Sequence, residues 1–166
     1  GAIRFAREGA SVSVVDINPE AVDAVVKEIK DAGGNAIGIV ADLTKDEESK
    51  RIVTETANHF EGLDFVWNHV GYPGPASIEG IEMKDFELTL DLNLRTILVT
   101  TEAALSEFRI RGGGTLLYTA SSSGLMGSGF SPVYSMAKFG VVGFVKALAK
   151  RVAKDNVRAN AICPGP

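Results

Sequence analysis

Cysteine is almost absent: Cys163 is the only one in 166 residues. No internal disulfide can form, which fits a reducing compartment, and the plain reading of Cys163 is a small core residue. No apolar run approaches the roughly 18 residues that a membrane-spanning helix requires. The opening GAIRFAREGA carries charges throughout and lacks a signal peptide's apolar stretch. A basic stripe is missing too. The 17 Lys and Arg are scattered among 21 Asp and Glu, for a net charge of −4, so neither nucleic acid nor a membrane surface is an expected partner. There is no internal repeat, low-complexity tract or linker, so one domain over residues 1–166 is expected. A hydrophobic share of 45% and a mean hydropathy of +0.12 supply enough apolar material for a core. The composition points to a soluble, cytoplasmic, globular protein.

Five short apolar runs recur, at Ser11 to Val15, Ala36 to Val40, Leu63 to Trp67, Gly114 to Tyr118 and Val157 to Cys163. Most are nearly continuous, as in strands buried on both faces. Helical spacing fills the intervals: from Pro19 to the Gly33-Gly34 pair, about Asp46 to Phe60, about Met83 to Phe108, and about Pro132 to Lys154. Strand alternating with helix predicts an α/β fold, a doubly wound parallel sheet. Ligands of such sheets bind beyond the carboxyl ends of the strands, so the residues that follow each run carry the chemical information.

The first run ends in Asp16. An acid there can accept the hydroxyls of an adenosine ribose, and its charge repels a 2′-phosphate, which favours NAD over NADP. Asp before a turn also serves turn chemistry. The glycine fingerprint expected about 20 residues earlier falls before Gly1, and Gly112-Gly113-Gly114 does not replace it, because it enters a strand instead of opening a helix. After the second run, Asp42 and Thr44 are candidates to cap the next helix. After the third, His69 invites a general-base reading, but a lone histidine without a second ligand or nearby acid is more often structural, and no metal site is assigned. The fourth run ends in Ser121-Ser122-Ser123-Gly124. Tyr134 follows Ser121 by thirteen residues and Lys138 follows Tyr134 by four, on one face of a helix. Carbonyl reduction needs a proton donor at the oxygen and the reverse reaction needs a base. A tyrosine beside an ammonium, which favours the phenolate, with a serine to hold the oxygen, supplies both.

The chain resembles the single-domain short-chain dehydrogenases/reductases along essentially its whole length. RFAREGASVSVVDIN, LDFVWNHVG, DLNL, ASSSGLMG, YSMAK and NAICPGP stand in the order and at the spacing of that family. The resemblance implies a Rossmann-like fold in which the first strand with its Gly-rich turn and the C-terminal strand lie outside this sequence. The absent first strand would sit between the strands ending at Asp16 and Asn68, so the isolated chain is expected to be poorly stable and to bind a dinucleotide weakly. By resemblance, Tyr134 is the acid/base, Lys138 stabilises its phenolate and binds the nicotinamide ribose, and Ser121 orients the substrate. Asn93 distorts the long helix and holds a water of the proton relay. Asp16, Asp42, Leu43, Asn68, Gly71, Pro164 and Gly165 meet the cofactor, together with Tyr134 and Lys138. Tyr72, Leu125, Met126 and Phe130 are candidate substrate contacts, or else core or dimer contacts. His69 and Val70 depart from the family's usual Asn and Ala.

The resemblance implies NAD-dependent interconversion of a secondary alcohol and a ketone, by a homodimer or homotetramer. A 3-oxoacyl carrier-protein reductase is a second enzymatic reading, opposed by Asp16. A non-catalytic dinucleotide-binding or assembly module is the alternative of another class.

Overall fold

The computed structural model describes residues 1–165, so Pro166, the last residue of NAICPGP, lies outside the described residues. Two compact units divide the chain, Gly1–Glu61 and Gly62–Pro166. Among the described residues no helix is long and apolar enough to cross a membrane.

The first unit runs α1 (Ala2–Arg7), β1 (Ser11–Asp16), α2 (Pro19–Asp31), β2 (Asn35–Val40) and α3 (Asp46–His59). β1 and β2 are parallel, in register from Ser11 opposite Asn35 to Asp16 opposite Val40. The Asn18 side chain caps α2 by accepting the Ala21 N–H at 3.1 Å, with Pro19 in the first turn. Such a cap contributes about 1 kcal/mol. The helical spacing of α2 brings Val22 and Ile29 inward, and burying each contributes roughly 1.5–3 kcal/mol. Ala6, Ile29 and Ala36 form the buried core, with Val12, Val14, Val25 and Val26 packed against it.

The second unit runs β3 (Phe65–Asn68), α4 (Met83–Leu90), α5 (Thr96–Arg111), β4 (Gly114–Thr119), α6 (Pro132–Val152) and β5 (Val157–Ile162). Its sheet is parallel, in the order β3-β4-β5. All five predicted strands therefore form. Among the described residues β1 pairs only with β2, and β3 only with β4.

The predicted long helix from Met83 is not continuous. A π-helical turn, Asp91–Arg95, separates α4 from α5, and the helical run continues to Arg111. Hydropathy spacing does not register one inserted residue within a long apolar pattern. The buried face of α5 is rich in threonine (Thr96, Thr100 and Thr101) beside Ala104 and Phe108. These hydroxyls are satisfied: Thr100 bonds the Asn68 side chain and Thr101 the Tyr118 hydroxyl. Cys163 is half-buried and not the core residue expected, because it lies one residue past the end of β5.

Candidate active site

The long apolar face of α6 carries one charged residue inward. Lys138 is 2% exposed, on the same side as Val133, Ala137, Val141 and Val142. Its Nζ donates to the carbonyl of Thr119, the last residue of β4, at 2.9 Å. Nζ also lies 5.4 Å from the centre of the Tyr134 ring, one turn earlier. Burial pushes the Lys138 ammonium below the ordinary lysine value, since a charge out of water is disfavoured. An ammonium has three N–H donors, and Thr119 engages one of them.

Three strand ends and the π turn converge on this pair. After β4, the Ser121 hydroxyl accepts the Ser123 N–H at 3.1 Å and opens a short 3-10 turn, Ser122–Gly124. That turn packs directly on α6. A Cβ at Gly124 would stand 2.6 Å from the Lys138 carbonyl oxygen, so only glycine permits the approach. After β5, the Pro164 carbonyl accepts the Ser122 N–H at 2.8 Å. The 3.9 Å between Ser122 and a Cβ built on Gly165 puts Gly165 beside the same turn. After β3 the chain passes Gly71, where a Cβ would stand 3.0 Å from Asn93 Oδ1 and 3.1 Å from Lys138 Nζ.

Asn93 is 1% exposed within the π turn. Its amide nitrogen donates to the Tyr72 carbonyl at 2.7 Å and the Thr89 carbonyl at 2.9 Å, and its oxygen faces the Tyr72 N–H at 3.4 Å. In a π turn backbone bonds reach five residues back instead of four, and such turns gather at functional sites. Here the side chain of Asn93 serves the carbonyl four residues back and also ties down the segment after Gly71. Ser131, at the start of α6, donates to the Pro73 and Pro75 carbonyls at 3.1 and 3.2 Å, which fixes the same segment from the other side.

The structure therefore brings together Asn93, Gly71, Tyr72, Ser121, Tyr134, Lys138, Pro164 and Gly165. Asn68 is buried at the end of β3. Its oxygen accepts from Thr100, while its amide nitrogen has no partner among the described residues. Leu125, Met126 and Phe130 are 54, 83 and 89% exposed. In the first unit Asp16 is exposed, with one carboxylate oxygen accepting the Asn18 N–H. Asp42 does not cap α3, because the cap position is Lys45. Its carboxylate instead accepts the Thr44 hydroxyl and N–H at 2.7 and 3.0 Å, and these bonds hold it below the usual carboxylate value. Leu43 follows, half-buried, its carbonyl accepting from Ser49.

Sequence reasoning missed Thr119. It binds Lys138 through its backbone, which no residue pattern displays. The geometry at Gly71 leads to a further expectation. Gly71→Ala is expected to weaken dinucleotide binding by about tenfold, equivalent to roughly 1.4 kcal/mol, because the methyl group intrudes on Lys138 and Asn93. Titration followed by Trp67 fluorescence checks it, and unchanged affinity would refute it.

Residues 1–166 match the family described as short chain dehydrogenase. An uncharacterized oxidoreductase of Thermotoga maritima is 34% identical over 164 residues, covering 99% of this chain and 64% of the relative. Levodione reductase of Leifsonia aquatica is 32% identical, covering 99% of this chain and 62% of that one. Among solved structures, a 7α-hydroxysteroid dehydrogenase complexed with NADH and 7-oxo glycochenodeoxycholic acid superposes with a TM-score of 0.95 at 30% identity, covering 99% of this chain and 63% of that one. The chain thus spans less than two thirds of the length of these relatives.

Proposed function

Because the chain belongs to the short-chain dehydrogenase family, with a Rossmann-like α/β fold, we propose that the protein interconverts a secondary alcohol and a ketone with a nicotinamide dinucleotide, using NAD in preference to NADP. The observation that carries this reading is the buried Lys138 ammonium, anchored on Thr119 and set against the Tyr134 ring. A buried charge is costly unless it is used or paired, and perturbed titratable groups of this kind gather at reacting centres.

The residues present fit the dinucleotide. Gly71 leaves a close approach to Lys138 and Asn93 that a Cβ would fill, and the remaining Lys138 N–H groups are donors suited to ribose hydroxyls. Asn68, Pro164 and Gly165 belong to the same strand-end edge. In the first unit, Asp16 offers a carboxylate to the adenosine ribose, with Asp42 and Leu43 at the adenine position. The cofactor supplies the hydride and takes it back. Tyr134 gives a proton to the carbonyl oxygen in one direction and removes it from the alcohol in the other. Lys138 stabilises the phenolate so formed, Ser121 holds the substrate oxygen by a hydrogen bond, and Asn93 supports the path by which the proton is replaced. Tyr72, Leu125, Met126 and Phe130 form the apolar side of the substrate region, which suits a bulky ketone. Neighbours named for levodione and for a hydroxysteroid support that choice of class.

None of the strands of the described residues passes through a glycine-rich turn straight into an α-helix N-terminus, the element that binds pyrophosphate. These 166 residues alone are therefore expected to hold the dinucleotide weakly, and the activity is assigned to the whole protein, with residues 1–166 as one dinucleotide-binding and catalytic domain acting in the cytoplasm. Exposed Leu98 on α5 with Met136 and Phe139 on α6 support assembly as a homodimer or homotetramer through those helices.

The test is oxidation of NADH and NADPH with cyclic ketones, before and after Asp16→Ala. NADH is expected to be preferred by about tenfold or more, with most of that preference lost in the variant, since a carboxylate facing a 2′-phosphate costs on the order of 1 kcal/mol or more. A wild-type preference for NADPH would overturn the assignment of NAD.

A further inference from the structure

Thr119 closes the β3–β4 ladder from beyond its end. Backbone groups of alternate residues in a strand face the same neighbour. The Thr115 N–H donates to Asp64 on the β3 side, and the Ala120 N–H donates to Ile162 of β5. Thr119, of the same parity as Thr115, faces β3. The ladder with β3 ends at Asn68 opposite Tyr118, so the Thr119 carbonyl lies past the last strand pair, and Lys138 Nζ takes it.

The side chain of Thr119 holds that peptide in place. Its Oγ1 lies 2.9 Å from Trp67 Nε1 and 2.9 Å from His69 Nδ1. An indole N–H only donates, whereas a hydroxyl accepts twice and donates once. Trp67 therefore fills one lone pair, and His69 Nδ1 meets either the hydroxyl proton or the second lone pair, according to the imidazole tautomer. The Trp67 and His69 rings lie 4.8 Å apart. Two residues beyond His69, Gly71 meets the same ammonium.

We propose that Thr119, clamped by the Trp67 indole and the His69 imidazole, is the positioning residue that sets the Lys138 ammonium at its distance from Tyr134. The inference rests on the reading of Lys138 given above and assigns a role to His69, which the sequence alone left as structural. His69 and Trp67 act through Thr119, and none of the three touches the reacting atoms.

The test compares Thr119→Val, which keeps the shape and loses the hydroxyl, with Thr119→Ser, which restores it. His69→Leu is paired with His69→Asn, whose side-chain amide can accept or donate in place of Nδ1. Because His69 is exposed, His69→Leu keeps the inference falsifiable should Thr119→Val fail to fold. Trp67 is the only tryptophan, so its emission reports the clamp directly. The rate of Lys138 acetylation by acetic anhydride, followed by mass spectrometry, reports how firmly the ammonium is held. Thr119→Val and His69→Leu are expected to shift Trp67 emission and to speed acetylation of Lys138. They are also expected to lower kcat by about tenfold with KM for the ketone little changed, since small misplacements at a reacting centre cost this much. Thr119→Ser and His69→Asn are expected to stay within about threefold of the wild type. An unshifted Trp67 emission, or a shifted emission with wild-type acetylation and kcat, would overturn the positioning role. If the wild type turns over no alcohol or ketone, the oxidoreductase reading fails by itself, and the acetylation rates still decide on the clamp.

Discussion

Replacing Tyr134 with Phe is expected to lower turnover by roughly a hundred- to ten-thousandfold, the range that a positioned general acid/base contributes, while dinucleotide affinity stays within a few-fold. The chain has three tyrosines, and their surroundings separate them. Tyr118 is fully buried and bonded to Thr101, and burial pushes its hydroxyl up to about 12, which removes it from proton transfer near neutrality. Tyr72 is tied through its backbone to Asn93. Only Tyr134 has the Lys138 ammonium at its ring. Among the described residues the Tyr134 hydroxyl has no hydrogen-bond partner, so its removal leaves no protein group unpaired, and the melting temperature is expected to hold. Steady-state kinetics and a thermal melt decide the matter. A variant as active as the wild type would exclude Tyr134 as the acid/base. A wild type that binds dinucleotide without turning over any alcohol or ketone would favour a binding module instead.

Lys138→Met is expected to reduce turnover by about a hundred- to a thousandfold, on the scale of losing one preorganised electrostatic contact, without lowering stability near neutral pH. Methionine keeps an unbranched apolar stem at this buried position on α6. The variant loses the bond to the Thr119 carbonyl, at a cost of about 1–3 kcal/mol for an unsatisfied group. It also escapes the desolvation of a buried ammonium, which amounts to several kcal/mol. The second effect is the larger. Its pH dependence has a definite sign. The folded-state value of Lys138 lies below the ordinary lysine value, so between the two the unfolded chain holds more protons and wild-type stability rises with pH. The advantage of Lys138→Met should be full below the folded value and shrink as pH climbs through it. Urea denaturation at about pH 7 and about pH 9.5 tests this. A variant much less stable at neutrality, or an advantage that grows with pH, would refute the account.

The sequence went far because the fold repeats a local rule. Nearly continuous apolar runs between segments of helical spacing disclosed all five strands, since strands of a parallel sheet covered by helices favour apolar residues at successive positions. The spacing of Ser121, Tyr134 and Lys138 was legible because a strand end and one helical turn convert separation along the chain into proximity. Asp42 was placed as a helix cap but serves a turn, since cap and turn use the same side-chain chemistry and only the fold sets the cap position at Lys45.

By itself the sequence determined the alternation of parallel strands and helices, the Tyr134 and Lys138 pair on one helix face, and the acid at the end of β1. Each of these is set by local periodicity, which any short window of residues displays. The resemblance implied that Asn93 distorts the long helix; only the tertiary structure decided that the distortion is a π turn over Asp91–Arg95, that Gly71 and Gly124 bring backbone against Lys138, and that the Thr119 carbonyl holds the Lys138 ammonium while its hydroxyl meets Trp67 and His69. Those features depend on backbone carbonyls and on side chains brought together from positions distant in the chain, as Gly71 is with Lys138. Hydrogen-bond partners of that kind are chosen by where the chain returns, and no local pattern of residue types encodes it.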